Sequence, residues 1–212
     1  MTDGDARYVQ ALLDGSVLQG PVLELGAGYG GSTCRKLIGD AGLEYFATDV
    51  VASEGVTYVA DFSDQENVAR VFGDTRFGCV LVLNVLEHTF VPTQVLDCAL
   101  GLVKTGGKCV VITPALWPLH NYPIDACRLL PDWYERYAST RGCTLQAECF
   151  DFIGYGNLSK FRDQDGQYSF PLPSAGNTFK HLWSRIIHKA FNTHGRGMAF
   201  PSHVAIGAVF RK

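Results

Sequence analysis

Two stretches gather residue types that can move protons. The run "LVLNVLEH" closes a long apolar segment with Asn84, Glu87 and His88, and "LHNYPIDACRLLP" sets His120, Tyr122, Asp125 and Arg128 within a dozen residues. An imidazole changes charge near neutral pH, so His88 and His120 are candidate general bases. Asp125 can serve as a base as well, or it can pair with Arg128 and fix the loop. Asn84 can contact a ligand or cap the end of a strand. Glu87 reads as a solvated or helix-capping carboxylate.

A third stretch can cradle a ligand. "VLELGAGYGG" is an apolar run that breaks into glycines at Gly26, Gly28, Gly30 and Gly31. A strand followed by such a turn and then a helix lets the backbone lie against a ligand with no Cβ in the way. The G-x-G-x-G spacing departs from the G-x-G-x-x-G of dinucleotide binders, although Gly31 still supplies the last glycine of that pattern. Asp49 follows about twenty residues later at the end of the next strand, where a carboxylate can accept from both hydroxyls of a ribose. Asp61 closes the strand after that, and Glu24 lies two residues before Gly26 inside the first. Three carboxylates around one pocket disfavour a pyrophosphate and suit a cationic or amino-bearing ligand.

The elements that must position these residues follow from periodicity. "ARYVQALLDG" predicts an opening helix that stops at glycine. Beyond Pro21, short apolar runs ("VLEL", "EYFATD", "VTYVAD", "FGCVLVLN", "GKCVVITP") alternate with helical patterns over roughly 31–38, 64–72 and 91–103. That alternation predicts βαβ units and a parallel sheet, an α/β fold. "FGCVLVLN" is apolar throughout, as expected of a central strand covered on both faces. After Pro114 comes a loop rich in proline and aromatics, then a helix over "PDWYERYASTRG", a strand over "CTLQAECFDFIG" and a last strand over "SHVAIGAVFRK". The segment 153–202 reads as an insertion or cap within a single domain spanning 1–212. Its one convincing helix, "NTFKHLWSRIIHKAF", joins an apolar face to Lys180, Arg185 and Lys189.

Composition narrows the class. The 212 residues are 47% hydrophobic, enough for a sizeable core, and no apolar run approaches the ~18 residues of a membrane span. The N-terminus lacks a signal-peptide pattern, so a cytoplasmic location is expected. Seven cysteines with no C-x-x-C pair predict reduced thiols, and no metal site is expected. The net charge of −3 is uneven: residues 1–165 carry −9, and the last 47 residues contain no carboxylate and carry +6. The basic tail can face an anionic ligand or partner, or pair with the acidic body.

In combination these motifs resemble the class I S-adenosylmethionine-dependent methyltransferases over roughly residues 20–150. "LELGAGYGG" is similar to their first motif, "FATD" to the ribose-binding acid and "VADFSD" to the adenine-side acid. "LVLNVLEH" resembles the motif that ends the fourth strand, and "LVKTGGKCVVITP" the turn into the fifth. The resemblance implies a Rossmann-like doubly wound sheet, seven-stranded and mostly parallel, in the order 3-2-1-4-5-7-6, with the insertion between its last two strands. It implies S-adenosyl-L-methionine as cofactor, S-adenosyl-L-homocysteine as product, and cofactor contacts at Glu24, Gly26, Ala27, Gly28, Asp49, Val50, Asp61, Phe62, Asn84 and Val85. The H-x-Y-P-x-D-x-x-R-x-x-P segment is similar to one that builds the acceptor side in glycan and secondary-metabolite methyltransferases. Tyr122 and Arg128, together with Trp183 and Arg185 from the insertion, are then expected at the substrate.

The expected function is methyl transfer to a small-molecule or glycan acceptor, anionic or carrier-bound, and oxygen is the favoured atom. A homodimer through the insertion helix is one expectation for assembly. Two other classes stay open: a protein of this fold that binds the cofactor without turnover, and a nucleotide-dependent oxidoreductase. Nucleic acid is not an expected partner, because no proline-proline-aromatic tetrapeptide ends the fourth strand and the acidic balance opposes binding to a phosphate backbone.

Overall fold

The computed structural model describes residues 2–28, 34–115, 117, 124–154, 158–160, 182, 186 and 203–212. Helix α1 (Asp3–Asp14) leads into β1 (Val22–Leu25), α2 (Arg35–Asp40), β2 (Tyr45–Asp49), β3 (Tyr58–Val59), α3 (Gln65–Phe72) and β4 (Phe77–Leu83). Then follow α4 (Pro92–Gly101), β5 (Val103–Pro114), α5 (Pro131–Arg141), β6 (Thr144–Leu145), β7 (Asp151–Gly154), β8 (Leu158–Lys160) and β9 (His203–Arg211).

The helix ends have local causes. The Asp64 side chain accepts from the N–H groups of Glu66 and Asn67 and so starts α3. Pro131 opens α5, where its missing N–H costs nothing, and Gly142 closes it in the left-handed region at φ 67°. A signal the helical periodicity alone does not carry lies at the N-terminus. Thr2 and Asp5 form a reciprocal capping box that starts α1 at Asp3, three residues ahead of "ARYVQALLDG".

The sheet runs β3-β2-β1-β4-β5-β9-β7-β8, with β6 also paired to β9. From β3 to β5 the pairing is parallel, and β9 lies antiparallel between β5 and β7. The last strand of the chain thus sits between the fifth and sixth, which is the expected order. Three details differ from the sequence expectation. Strand β5 already begins at Val103, within the stretch expected as the helix end and the turn before "GKCVVITP", because Val103 pairs with Phe77 of β4. The single strand over "CTLQAECFDFIG" is two pieces, because a 3₁₀ turn at Ala147–Cys149 separates β6 from β7, and both pieces pair with β9. Ile153 and Gly154 belong to β7, and β8 then extends the sheet edge before the remainder of the segment expected as an insertion.

Both sheet faces are covered, and the central strands divide their side chains between two cores. Phe77, Val80 and Val82 of β4 join Cys109 and Val111 of β5 beneath α3, α4 and α5. Cys79 and Leu81, with Val110 and Ile112, pack on the opposite face against Tyr8, Val9 and Leu12 of α1 and Ile38 of α2. From Cys79 onward the period-two alternation of a strand is therefore present in an all-apolar run, with both phases buried, and a register shift between Phe77 and Cys79 puts Phe77 on the face of Val80. Removing most of one such side chain, as in Leu81→Ala, costs about 2–5 kcal/mol. All seven cysteines are free thiols and five of them are buried. Among the described residues no helix is long and apolar enough to cross a membrane.

Candidate functional site

Strands β1, β2, β4 and β5 all point their carboxyl ends to one edge, and the turn after β1 folds back over that edge. Gly26 takes φ +70°, and a Cβ there would lie 2.9 Å from Val85 Cγ2. Ala27 N–H donates to the Thr48 carbonyl at 3.2 Å, and Gly28 N–H donates to Asp49 Oδ2 at 3.0 Å. A Cβ on Gly28 would stand 3.0 Å from Asp49 Cγ and 2.8 Å from Ser53 Oγ. The absent side chains at 26 and 28 thus let the turn close onto the ends of β2 and β4. Asp49 Oδ1 also accepts from Val51 N–H at 3.1 Å, so the carboxylate is aimed by one backbone donor on each oxygen. Each oxygen retains a lone pair for a further donor such as a hydroxyl.

The flanking residues divide into an exposed and a buried group. Val50 is 63% exposed and offers an apolar surface beside Asp49. Asp61 is exposed, and its Oδ1 accepts from Ser63 N–H and Ser63 Oγ. The Phe62 ring is buried against Phe72, which leaves its backbone as the part able to meet a ligand. Glu24 is only 4% exposed; its Oε2 accepts from Cys34 N–H at 2.8 Å and Tyr45 Oη–H at 2.7 Å, tying β1 to the start of α2 and to β2. Burial pushes its carboxyl above the usual carboxylate range, against the lowering effect of those two hydrogen bonds. A carboxylate at the end of β2 held by the glycine turn, a cradle that a Cβ would fill and an adjacent apolar surface together suit a nucleoside with a vicinal diol.

At the end of β4, Asn84 takes φ 54° and its Nδ2 donates to Asp5 Oδ2 at 3.1 Å. The same Asp5 oxygen accepts from Thr2 N–H, so the capping box of α1 also anchors the strand end. Asp5 was not singled out from sequence; the Thr-x-x-Asp pattern at residues 2–5 is the signal that finds it. His88 lies in the 3₁₀ turn Leu86–His88, with Nδ1 2.5 Å from the Ile124 carbonyl and Nε2 3.6 Å from Glu87 Oε1. Glu87 is 1% exposed, which corrects the expectation of a solvated or capping carboxylate. The turn rolls its side chain inward beneath the segment after β5, and burial pushes its carboxyl up to about 8.

Asp125 and Arg128 form a two-pronged ion pair, with Nη2 to Oδ2 at 2.6 Å and Nη1 on Oδ1. Arg128 Nη1 also donates to the Cys127 carbonyl at 2.8 Å. The pair sits beside the end of β4 and braces the segment that follows β5. His120, Tyr122, Trp183 and Arg185, and with them Gly30 and Gly31, lie outside the described residues. Of the stretch expected as a helix within the insertion, Leu182 and Ile186 are described, and both are helical. Among the described residues no group of three or more His, Cys, Asp or Glu is placed to hold a metal ion. A groove of about 830 Å³ between α3 and α4, lined by residues including Val68, Phe90, Asp97 and Arg141, shares no residue with the strand-end site.

A family model described as a methyltransferase domain matches residues 6–151. Among solved structures, a SAM dependent methyltransferase from Archaeoglobus fulgidus is similar with a TM-score of 0.58 at 14% identity, over 98% of this chain and 94% of that one. The 1,6-didemethyltoxoflavin-N1-methyltransferase of Burkholderia thailandensis, solved with 1,6-didemethyltoxoflavin and S-adenosylhomocysteine, is similar with a TM-score of 0.59 at 13% identity, over 99% and 79%. The [4+2]-cyclase SpnF is similar with a TM-score of 0.56 at 14% identity, over 98% and 80%. No curated protein matches the chain in sequence. At these identities the structural likenesses are of fold.

Proposed function

This chain belongs to the class I S-adenosylmethionine-dependent methyltransferases, its methyltransferase domain matching residues 6–151, and from that premise we propose that it methylates a hydroxyl oxygen on a small-molecule or glycan acceptor. The observation that carries the cofactor half of this reading is the Gly28–Asp49 contact at the carboxyl edge of the sheet, the crevice in which open α/β sheets bind ligands, and the acceptor half rests on the resemblance of the segment from His120 to Pro131. When bound, S-adenosylmethionine supplies a methyl group already activated on a sulfonium.

The residues of the chain then have separable tasks. Gly26, Ala27 and Gly28 present backbone to the cofactor, and Asp49 accepts from its ribose hydroxyls. Val50 covers one face of the adenine, with Asp61 and the Phe62 backbone at its edge. Glu24, Asn84 and Val85 shape the floor beneath.

On the acceptor side, His120 takes the hydroxyl proton. His88 is the alternative base, because its Nδ1–H donates to the Ile124 carbonyl and leaves Nε2 as the nitrogen that can take a proton, whereas Asp125 is engaged by Arg128 and holds the wall. Tyr122 and Arg128 orient the acceptor. Trp183 and Arg185 contribute to acceptor binding, where the positive charge of their segment favours an anionic or carrier-bound acceptor.

The test is release of S-adenosylhomocysteine from S-adenosylmethionine across a panel of hydroxylated acceptors and their O-blocked counterparts. Product formed with free hydroxyls and absent with the blocked ones supports the reading. Product formed only with amines overturns the oxygen assignment, and no product with any acceptor favours cofactor binding without turnover.

A further inference from the structure

The 3₁₀ turn after β4 is clasped to the segment after β5. The Glu87 carbonyl accepts from Ala126 N–H at 2.7 Å and Cys127 N–H at 3.3 Å. The Leu86 carbonyl accepts from Cys127 Sγ at 3.3 Å, and His88 Nδ1 meets the Ile124 carbonyl. A carbonyl only accepts, so Nδ1 carries the hydrogen and His88 is fixed in ring orientation.

At the centre of this clasp sits the Glu87 side chain. Neither of its carboxyl oxygens has a hydrogen-bond partner among the described residues. His88 Nε2, 3.6 Å from Oε1, is within ion-pair range but too far for a hydrogen bond. Among the described residues, the other titratable or charged groups facing it are Asp5 from α1, Asp125, Arg128 and the Cys127 thiol from the segment, and Tyr134 from α5. Arg128 is the one nearby guanidinium among them, and it is already held in two places by Asp125. A negative charge on Glu87 would therefore be buried beside two further carboxylates with no side-chain hydrogen bond to either oxygen among the described residues, and burial outweighs the lowering effects of its own backbone N–H and of Arg128, so the proton is kept.

We propose that Glu87 is a positioning residue of the transfer site: as a neutral acid it forms the centre of the clasp that holds segment 124–128 against the end of β4, and its ionisation opens that clasp. The inference rests on the methyl-transfer reading for its purpose, because this segment carries Asp125 and Arg128 and directly follows His120 and Tyr122 in the chain. Its physics is independent of that reading. Burial pushes the carboxyl from 4.5 up to about 8, so the closed clasp binds the proton more tightly than the open one. Stability contributed this way is complete below the ordinary carboxylate value and is lost as pH rises to about 8.

The experiment is amide hydrogen exchange on the whole protein, with no acceptor or cofactor added. Rates are corrected for the base catalysis of exchange, and Val80 and Val82 in the centre of β4 serve as controls. The Ala126 and Cys127 amides should lose protection by at least about tenfold between pH 5.5 and 7.5 while the controls do not. In Glu87→Gln, whose amide cannot ionise, that fall should disappear. Protection at Ala126 that tracks the controls in the wild type overturns the proposal, as does an equal fall in the Gln variant. If the variant does not fold, the wild-type profile decides alone. No outcome depends on which atom is methylated, so failure here is distinct from failure of the oxygen assignment.

Discussion

The backbone N–H of Gly28 donates to Asp49 Oδ2 across 3.0 Å, and a Cβ on Gly28 would crowd the same carboxylate at 3.0 Å from its Cγ. The glycine turn therefore closes first on the protein's own carboxylate and, in doing so, orients the group assigned to the ribose.

Gly28→Ala should accordingly act through Asp49. The new methyl would stand 2.8 Å from Ser53 Oγ and 3.0 Å from Asp49 Cγ, so the Ser53 hydroxyl must turn and the carboxylate must give by a few tenths of an ångström, which shifts it from its aimed position. Calorimetry with S-adenosylhomocysteine should show affinity reduced about tenfold, equivalent to ~1.4 kcal/mol, with thermal stability nearly unchanged. Gly26→Ala should differ, because φ +70° is costly for any side chain. We expect it to lower folding stability by about 1–2 kcal/mol before any ligand is added. Equal effects of the two variants on stability would contradict this division.

Glu24 supplies a pH test. Burial raises its folded pKa, so it contributes stability at low pH that is lost as pH rises through the folded value. Both of its protein donors reach the same oxygen, Oε2, and the amide carbonyl of a glutamine can replace that oxygen. Glu24→Gln should therefore gain in melting temperature relative to the wild type between pH 5 and pH 8. A difference that stays constant across that interval refutes the assignment.

Asp5 links the first helix to the end of β4, accepting from Thr2 N–H and Asn84 Nδ2 while buried. Asp5→Ala removes half of the capping box and leaves the Asn84 amide without this acceptor, so chemical denaturation should show a loss of about 1–3 kcal/mol. Asp5→Asn, which keeps an acceptor oxygen, should recover part of it. An alanine variant as stable as the wild type would mean that the contact contributes nothing.

The acid-free tail supports a prediction about the acceptor. Replacing Arg185 and Lys189 together by Gln should raise the acceptor KM and weaken the effect of salt on it, with cofactor affinity unchanged. A KM insensitive to both salt and substitution assigns the helix to packing or to a dimer.

Much of this architecture was legible in the chain because local chemistry and tertiary structure agree. Alternating apolar runs and helical stretches marked β1 to β5 with the helices between them, and the glycines followed by Asp49 marked the crevice. Where side-chain direction depends on a partner distant in sequence, the chain was silent. Glu87 follows Leu86 in a motif that reads equally well as solvent-facing, and only the packing of segment 124–128 over the turn buries it. The broken sixth strand was hidden for a similar reason: "CTLQAECFDFIG" has strand composition throughout, but its middle forms a 3₁₀ turn. The Thr2–Asp5 capping box was readable and marks the true start of α1.

The most direct test of the account is cofactor binding to the Asp49→Ala variant. Calorimetric titration of S-adenosylhomocysteine into the wild type and into a folded Asp49→Ala protein should show at least a tenfold loss of affinity, about 1.4 kcal/mol or more. Unchanged affinity, with the fold intact by circular dichroism, would contradict the assignment of the Gly28–Asp49 edge as the cofactor site.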